Sequence, residues 1–251
     1  MPFDAVATCI GSFPHTDPEV VTRFLIETLP DCPTWAQLPQ TSYRENMYAQ
    51  YVAPLPGAMI DEEAKKTRLS LPADAEGLLT EFFEAALSDD PTPFAPTDRS
   101  AAGYGVFRRQ LAEAPQSAFV KGHVTGPVSF GLTVTREDDR AVFYDDTLRD
   151  VVIQGLAAQA RAQVRQLRET GREVVIFIDE PYLSSFGSAT VPVSEDDVIQ
   201  SLTALTDAVR AEGGIPGVHC CGNTDWSLLF RTTTGIVNFD AYAYLDGMTL
   251  Y

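Results

Sequence analysis

Short apolar runs, each followed by a stretch of helical spacing, recur along this chain, and that alternation limits the possible folds more than any single residue does. A strand that is apolar on both faces has to be covered on both, and a helix between two such strands supplies the cover. The pattern therefore predicts βα units and a largely parallel sheet. The strand candidates are residues 5–10, 118–124, 174–178, 215–218 and 236–239, with a weaker one near 34–38.

Between them, residues 146–168 read as one long helix, because Leu148, Val151, Val152, Leu156, Val164 and Leu167 recur about one turn apart. A second helix is expected at 195–211. Its Ser194 can cap the first turn, and Glu195, Asp196 and Asp197 suit the positive end. Residues 54–117 break the rhythm with a proline-rich start, an acidic helix at 76–87 and the segment DDPTPFAPTD, and are expected to form an insertion or subdomain over one end of the sheet. Six strand candidates without a second change of composition favour one α/β domain, a (β/α)8 TIM barrel, over an open doubly wound sheet. A complete barrel has eight strands, so the last strand or strands are expected to be missing from this chain. Neither GxGxxG nor GxxxxGK[ST] follows any strand, which removes the usual handles for nucleotide binding.

Charge narrows the partners. The 251 residues carry 35 Asp and Glu against 18 Lys and Arg, a formal net charge of −17, which repels nucleic acid and anionic membrane. No window approaches the ~20 apolar residues of a membrane-spanning helix, and the start lacks the basic region of a signal peptide. A cytoplasmic protein is expected. Cysteines at 9, 32, 220 and 221, two of them adjacent, suit a chemical use better than a disulfide framework.

Four strand ends gather candidate chemistry. After 215–218 come His219, Cys220 and Cys221. An imidazole and a thiolate two residues apart can wrap one Zn²⁺, with Cys220 turned away, and Asp240 at the end of the next strand would face the same rim. Buried small residues at a strand end would explain the same motif. After 174–178 come Asp179 and Glu180, two carboxylates where barrel enzymes keep catalytic and binding groups, although a helix cap before Pro181 uses the same residue types. After 5–10 come Gly11 and Ser12, a tight turn whose N–H groups and hydroxyl suit a carboxylate. His123 precedes Thr125-Gly126-Pro127 and is a candidate contact to the reacting molecule, or a satisfied structural histidine. Residues 43–51, polar and aromatic, read as a solvated helix face.

Taken in order, IGSFPHT (10–16), HVTGP (123–127), FIDEP (177–181), HCC (219–221) and NFD (238–240) resemble the C-terminal catalytic barrel of cobalamin-independent methionine synthase. The likeness is greater to the short single-barrel relatives in the superfamily shared with uroporphyrinogen decarboxylase, and it runs from about residue 8 to the end. It implies a zinc-dependent methyltransferase of methionine biosynthesis, with homocysteine bound to zinc as its thiolate and methylated there. By resemblance His219 and Cys221 are zinc ligands, Asp240 stands where the family has a glutamate ligand, Ser12 meets the amino-acid carboxylate and Asp179 the amino group. Gly11 and Glu180 flank these substrate contacts, and His123 joins Asp179 as a catalytic candidate. The family's fourth ligand, a cysteine further downstream, has no counterpart before Tyr251. The N-terminal half that helps bind folate has none either, so a corrinoid protein or methyl-folate is the implied donor. The alternatives are a uroporphyrinogen decarboxylase-like enzyme, expected to present arginines to many carboxylates, and a non-catalytic metal or amino-acid binding module.

Overall fold

A computed structural model describes residues 5–188 and 191–250. In chain order it contains α1 (Pro18–Thr28), α2 (Ala49–Val52), the hairpin β1 (Ala58–Asp61) and β2 (Lys66–Leu69), α3 (Glu76–Ala86), α4 (Ala102–Glu113), β3 (Phe119–Thr125), α5 (Pro127–Thr133) and α6 (Asp146–Arg168). Then follow β4 (Glu173–Asp179), α7 (Glu195–Ala211), β5 (Ile215–Cys220), α8 (Ser227–Phe230), β6 (Ile236–Phe239) and α9 (Ala241–Met248). Strands β3, β4, β5 and β6 form a parallel sheet in chain order. The fold is α/β.

Two expected strands are present only in outline. Residues 5–10 form no ladder, and the 34–38 segment makes isolated parallel bridges, Ser12 to Gln37 and Thr34 to Lys121. The connecting bonds are few: Phe13 N–H donates to Gln37 O at 3.0 Å, Gln37 N–H to Gly11 O at 2.8 Å and Lys121 N–H to Pro33 O at 2.9 Å. Gly11 and Pro14 after the first segment, and Pro33 and Pro39 on either side of the second, limit how far a regular ladder can run. Even so, the two segments extend the parallel order on the free side of β3.

Successive strand residues face opposite ways, and the two faces have different cores. Val120, Val124, Val174, Ile176, Ile178, Val218 and Cys220 join the main hydrophobic core with α6 and α7. A side chain at Gly122 would strike Gln163 and Leu167 of α6, which puts that face under the helix. The other face holds a small separate cluster of Cys32, Phe119, Val175 and Phe177, with Ile10, Ile215 and Ile236 packed against it. This face also carries Lys121, His123, Thr125, Asp179 and His219.

The local signals explain the helices. Asp145 Oδ1 accepts from Leu148 N–H to start α6, and Ser194 Oγ accepts from Asp197 N–H to start α7. The 54–117 segment contributes Leu55, Leu69, Phe82, Phe94, Tyr104 and Phe107 to the same core as the sheet. Residues 43–51 are not the solvated face expected of them: Gln50 and Tyr51 are buried, because their side chains brace the strand-end segments rather than meeting water. Among the described residues, no helix is long and apolar enough to cross a membrane.

Candidate functional site at the strand ends

One register row crosses the sheet at its C-terminal end. Thr125 pairs with Asp179, Asp179 with His219, and His219 with Asn238. Residues paired in this way point to the same face, so a hydroxyl, a carboxylate, an imidazole and an amide lie side by side. Counting on from the Thr34–Lys121 and Ser12–Gln37 bridges brings exposed Ser12 to the level of Val124, one residue short of that row.

Several polar atoms here have no partner among the described residues. Asp179 Oδ1, Thr125 Oγ1 and both ring nitrogens of His123 are shut off from solvent and unpaired. A buried polar atom without a partner costs about 1–3 kcal/mol, so such a concentration marks a place built for something else. Burial raises the Asp179 carboxyl to about 7, against the opposing pull of Lys121. Lys121, fully buried, donates from Nζ to Ile10 O at 2.7 Å and lies 4.7 Å from the centre of the Phe177 ring. Burial lowers its pKa while Asp179 opposes the change.

His219 could serve as a ligand. Its Nδ1 lies 2.6 Å from Asn238 Oδ1, an atom that can only accept, so Nδ1 carries the proton and Nε2 is left with its lone pair. Burial holds its pKa below the usual histidine range, although the Asn238 bond opposes this, and the ring is therefore neutral at pH 7. Cys221, two residues on, is exposed. Cys220 turns into the helix-side core and donates to Gly222 O at 3.3 Å, and burial lifts its thiol to about 11. The alternation expected of this pair is present.

Two expected site residues are otherwise engaged and a third is enclosed. Glu180 is completely buried, and its carboxylate accepts from Val128 N–H at 3.0 Å, Ser129 N–H at 2.8 Å and Ser129 Oγ at 2.6 Å. It caps α5 from a neighbouring strand and is not free for substrate. Gly126 has to lack a side chain because a Cβ there would sit 2.1 Å from Glu180 Cδ. Burial raises Glu180 to about 7 despite the Ser129 bonds. Asp240 caps α9, accepting through Oδ1 from Tyr242 N–H at 3.0 Å and Ala243 N–H at 3.2 Å, so that oxygen is not free for a metal. His123 is wedged, with Trp35 stacked on its ring at 3.9 Å and Gly11 against its edge. Burial lowers its pKa well below normal, with Lys121 adding to the effect. A neutral ring so enclosed packs against the Gly11 turn, and its two unpaired nitrogens keep it a candidate contact to the reacting molecule.

Gly11 has φ +127°, and a Cβ there would lie 2.6 Å from His123 Cε1, so both backbone and space require glycine. The residues not anticipated are those that brace this wedge. Tyr51 Oη and Gln163 Nε2 each donate to His123 O at 2.8 Å, and Trp35 Nε1 donates to Gln163 Oε1 at 3.0 Å. A signal existed for Lys121 and Thr125: with His123 they are polar at every second position of an otherwise apolar strand.

For zinc the fit is partial. His219 Nε2 and the exposed Cys221 thiol are suitable donors two residues apart, while Asp240 Oδ1 is held by its own helix. Among the described residues, no three His, Cys, Asp or Glu side chains are gathered to hold a metal ion. No protein-family model matches the chain, and no curated protein is significantly similar to it.

Proposed function

We propose that the protein methylates the thiol of a small amino acid, homocysteine being the first choice, at the C-terminal rim of the parallel sheet. The observation that carries this reading is the Thr125–Asp179–His219–Asn238 row, with a carboxylate whose buried Oδ1 is unpaired beside an imidazole whose Nε2 lone pair is free. Six parallel segments in chain order, with a separate apolar cluster on the inner face, support reading the sheet as an arc of a (β/α)8 barrel.

In this reading Asp179 Oδ1 receives the substrate ammonium group, which holds the carboxyl in its charged form. The Gly11–Ser12 turn meets the carboxylate, and His123, clamped by Trp35, fixes that turn. Fixing both ends of an amino acid leaves its thiol in one orientation. A zinc ion held by His219 and Cys221 would supply the proton-withdrawing charge that makes a thiol of pKa ~8.5 nucleophilic at neutral pH. A methyl-corrinoid protein or methyl-folate is the donor in this scheme. A decarboxylase acting on a polycarboxylate is less well supported, because the only Lys or Arg on the inner face of β3–β6 is Lys121, whose Nζ is bonded to Ile10 O.

The test is zinc content by mass spectrometry together with homocysteine binding by calorimetry. Cys221→Ser should lower bound zinc to near zero and Cys220→Ser should leave it nearly unchanged. Equal effects, or homocysteine binding that ignores both zinc and Asp179, would overturn the reading.

A further inference from the structure

A second cleft, of about 190 Å³, opens where residues 93–97 pass α2 and α6. The buried aromatic residues Trp35, Tyr51 and Phe94 lie at its floor, Pro93 and Pro96 stand at its mouth, and every residue that lines it is uncharged. In a chain of net charge −17 that neutrality is a property of the cleft and not of the surface at large. Gln159, nine-tenths buried, lines it too. Its Nε2 donates to Tyr51 O at 3.0 Å and Gly155 O at 3.2 Å, while its Oε1 accepts from no donor among the described residues. The volume is below the ~300–1,000 Å³ of pockets that take drug-sized ligands, which limits an occupant to one or two rings.

We propose that this cleft binds an uncharged, planar aromatic molecule of one or two rings with an N–H donor, held between the aromatic floor and the prolines at the mouth and donating to Gln159 Oε1. An anionic relative is excluded because no cation lines the cleft to replace its lost hydration. The occupant would lie over Tyr51, which donates to His123 O, so the strand-end site would sense it. This binding does not depend on the methyl-transfer reading.

The probes are benzimidazole, 1-methylbenzimidazole and benzimidazole-5-carboxylate, titrated by calorimetry at about pH 8 into the full chain. Benzimidazole should bind saturably with a Kd on the order of 1 mM or tighter. The N-methyl compound and the carboxylate should each bind about tenfold more weakly. Ala53→Trp, at an exposed position of the cleft wall, should weaken benzimidazole at least about tenfold while leaving the thermal melt unchanged. No saturation by about 10 mM, equal affinity for the carboxylate or the N-methyl compound, or an Ala53→Trp variant that binds normally would overturn the proposal.

Discussion

Replacing Asp179 by Asn keeps the size of the side chain and removes its charge, so the variant isolates what that buried carboxyl does to stability. The group's ordinary value is 3.8, and burial raises it to about 7 in the fold. A carboxyl whose folded pKa is raised holds its proton more tightly folded than unfolded. Its contribution to stability is therefore complete below about pH 4 and is lost as the pH climbs through about 7. Across pH 5 to pH 8 the change from this one group is about 2.5 kcal/mol. The amide that replaces it has no such proton to lose, while Glu180, which follows the same sign, loses only the least of the influences on it, the upward push of the Asp179 charge. The expected result is an Asp179→Asn variant whose stability advantage grows by about 2.5 kcal/mol between pH 5 and pH 8, the pull of Lys121 being already contained in the raised value. Urea titrations at unit intervals of pH would read this as a midpoint difference growing to about 1 M. A stability difference that stays flat from pH 5 to pH 8 would refute the argument, because a carboxyl already ionised at pH 5 is not the buried, unpaired group described above. The same variant should bind homocysteine more weakly at every pH while keeping its zinc.

Three other outcomes follow from individual contacts. Glu180→Gln retains one acceptor and turns a donor toward Val128 N–H or Ser129, so it should cost about 2–3 kcal/mol by denaturant titration. Its homocysteine affinity should be unchanged in protein that remains folded, and a large loss of affinity would return Glu180 to the substrate site. Gly11→Ala forces a side chain into φ +127° and against the His123 ring, and should cost about 1–3 kcal/mol while weakening binding of the substrate carboxylate. Full stability in that variant would mean the wedge is loose. Asn238→Leu frees His219 Nδ1 from its acceptor and should lower zinc affinity about tenfold or more, measured by chelator competition; unchanged affinity would remove Asn238 as the group that sets the imidazole's tautomer.

Much of the frame could be read from the residues. β3, β4, β5 and β6 lie where the apolar runs are, and α6 and α7 begin at their acidic or hydroxyl caps, because a strand buried on both faces and a capped amphipathic helix each leave a local signature. Residues 5–10 and 34–38 have the same apolar character but not the ladder, since pairing depends on neighbours that the run itself does not encode. The carboxylates mark the limit of residue type as evidence. Asp179 is unpaired, Glu180 serves a helix that begins 53 residues earlier, and Asp240 serves the helix it begins. The spacing of the sequence does not separate these uses. Only the partner atoms do, and for Glu180 they come from a distant part of the chain. Gln50 and Tyr51 were obscure for the same reason, their bonds going to Gln37, Ser100 and His123.

The two-residue alternation along β3–β6 also determines which changes of length the chain can absorb. A single residue inserted or deleted within β4 ahead of Asp179 exchanges its faces: Ile178 and its kind would turn inward and the carboxylate would enter the core beneath α6. A two-residue change keeps the faces and shifts only the level. The hairpin between β1 and β2, whose turn is exposed and which belongs to a separate two-stranded sheet, has no such parity to preserve. Viable length variants of this chain should therefore be concentrated in the β1–β2 turn, with those inside the sheet restricted to even steps.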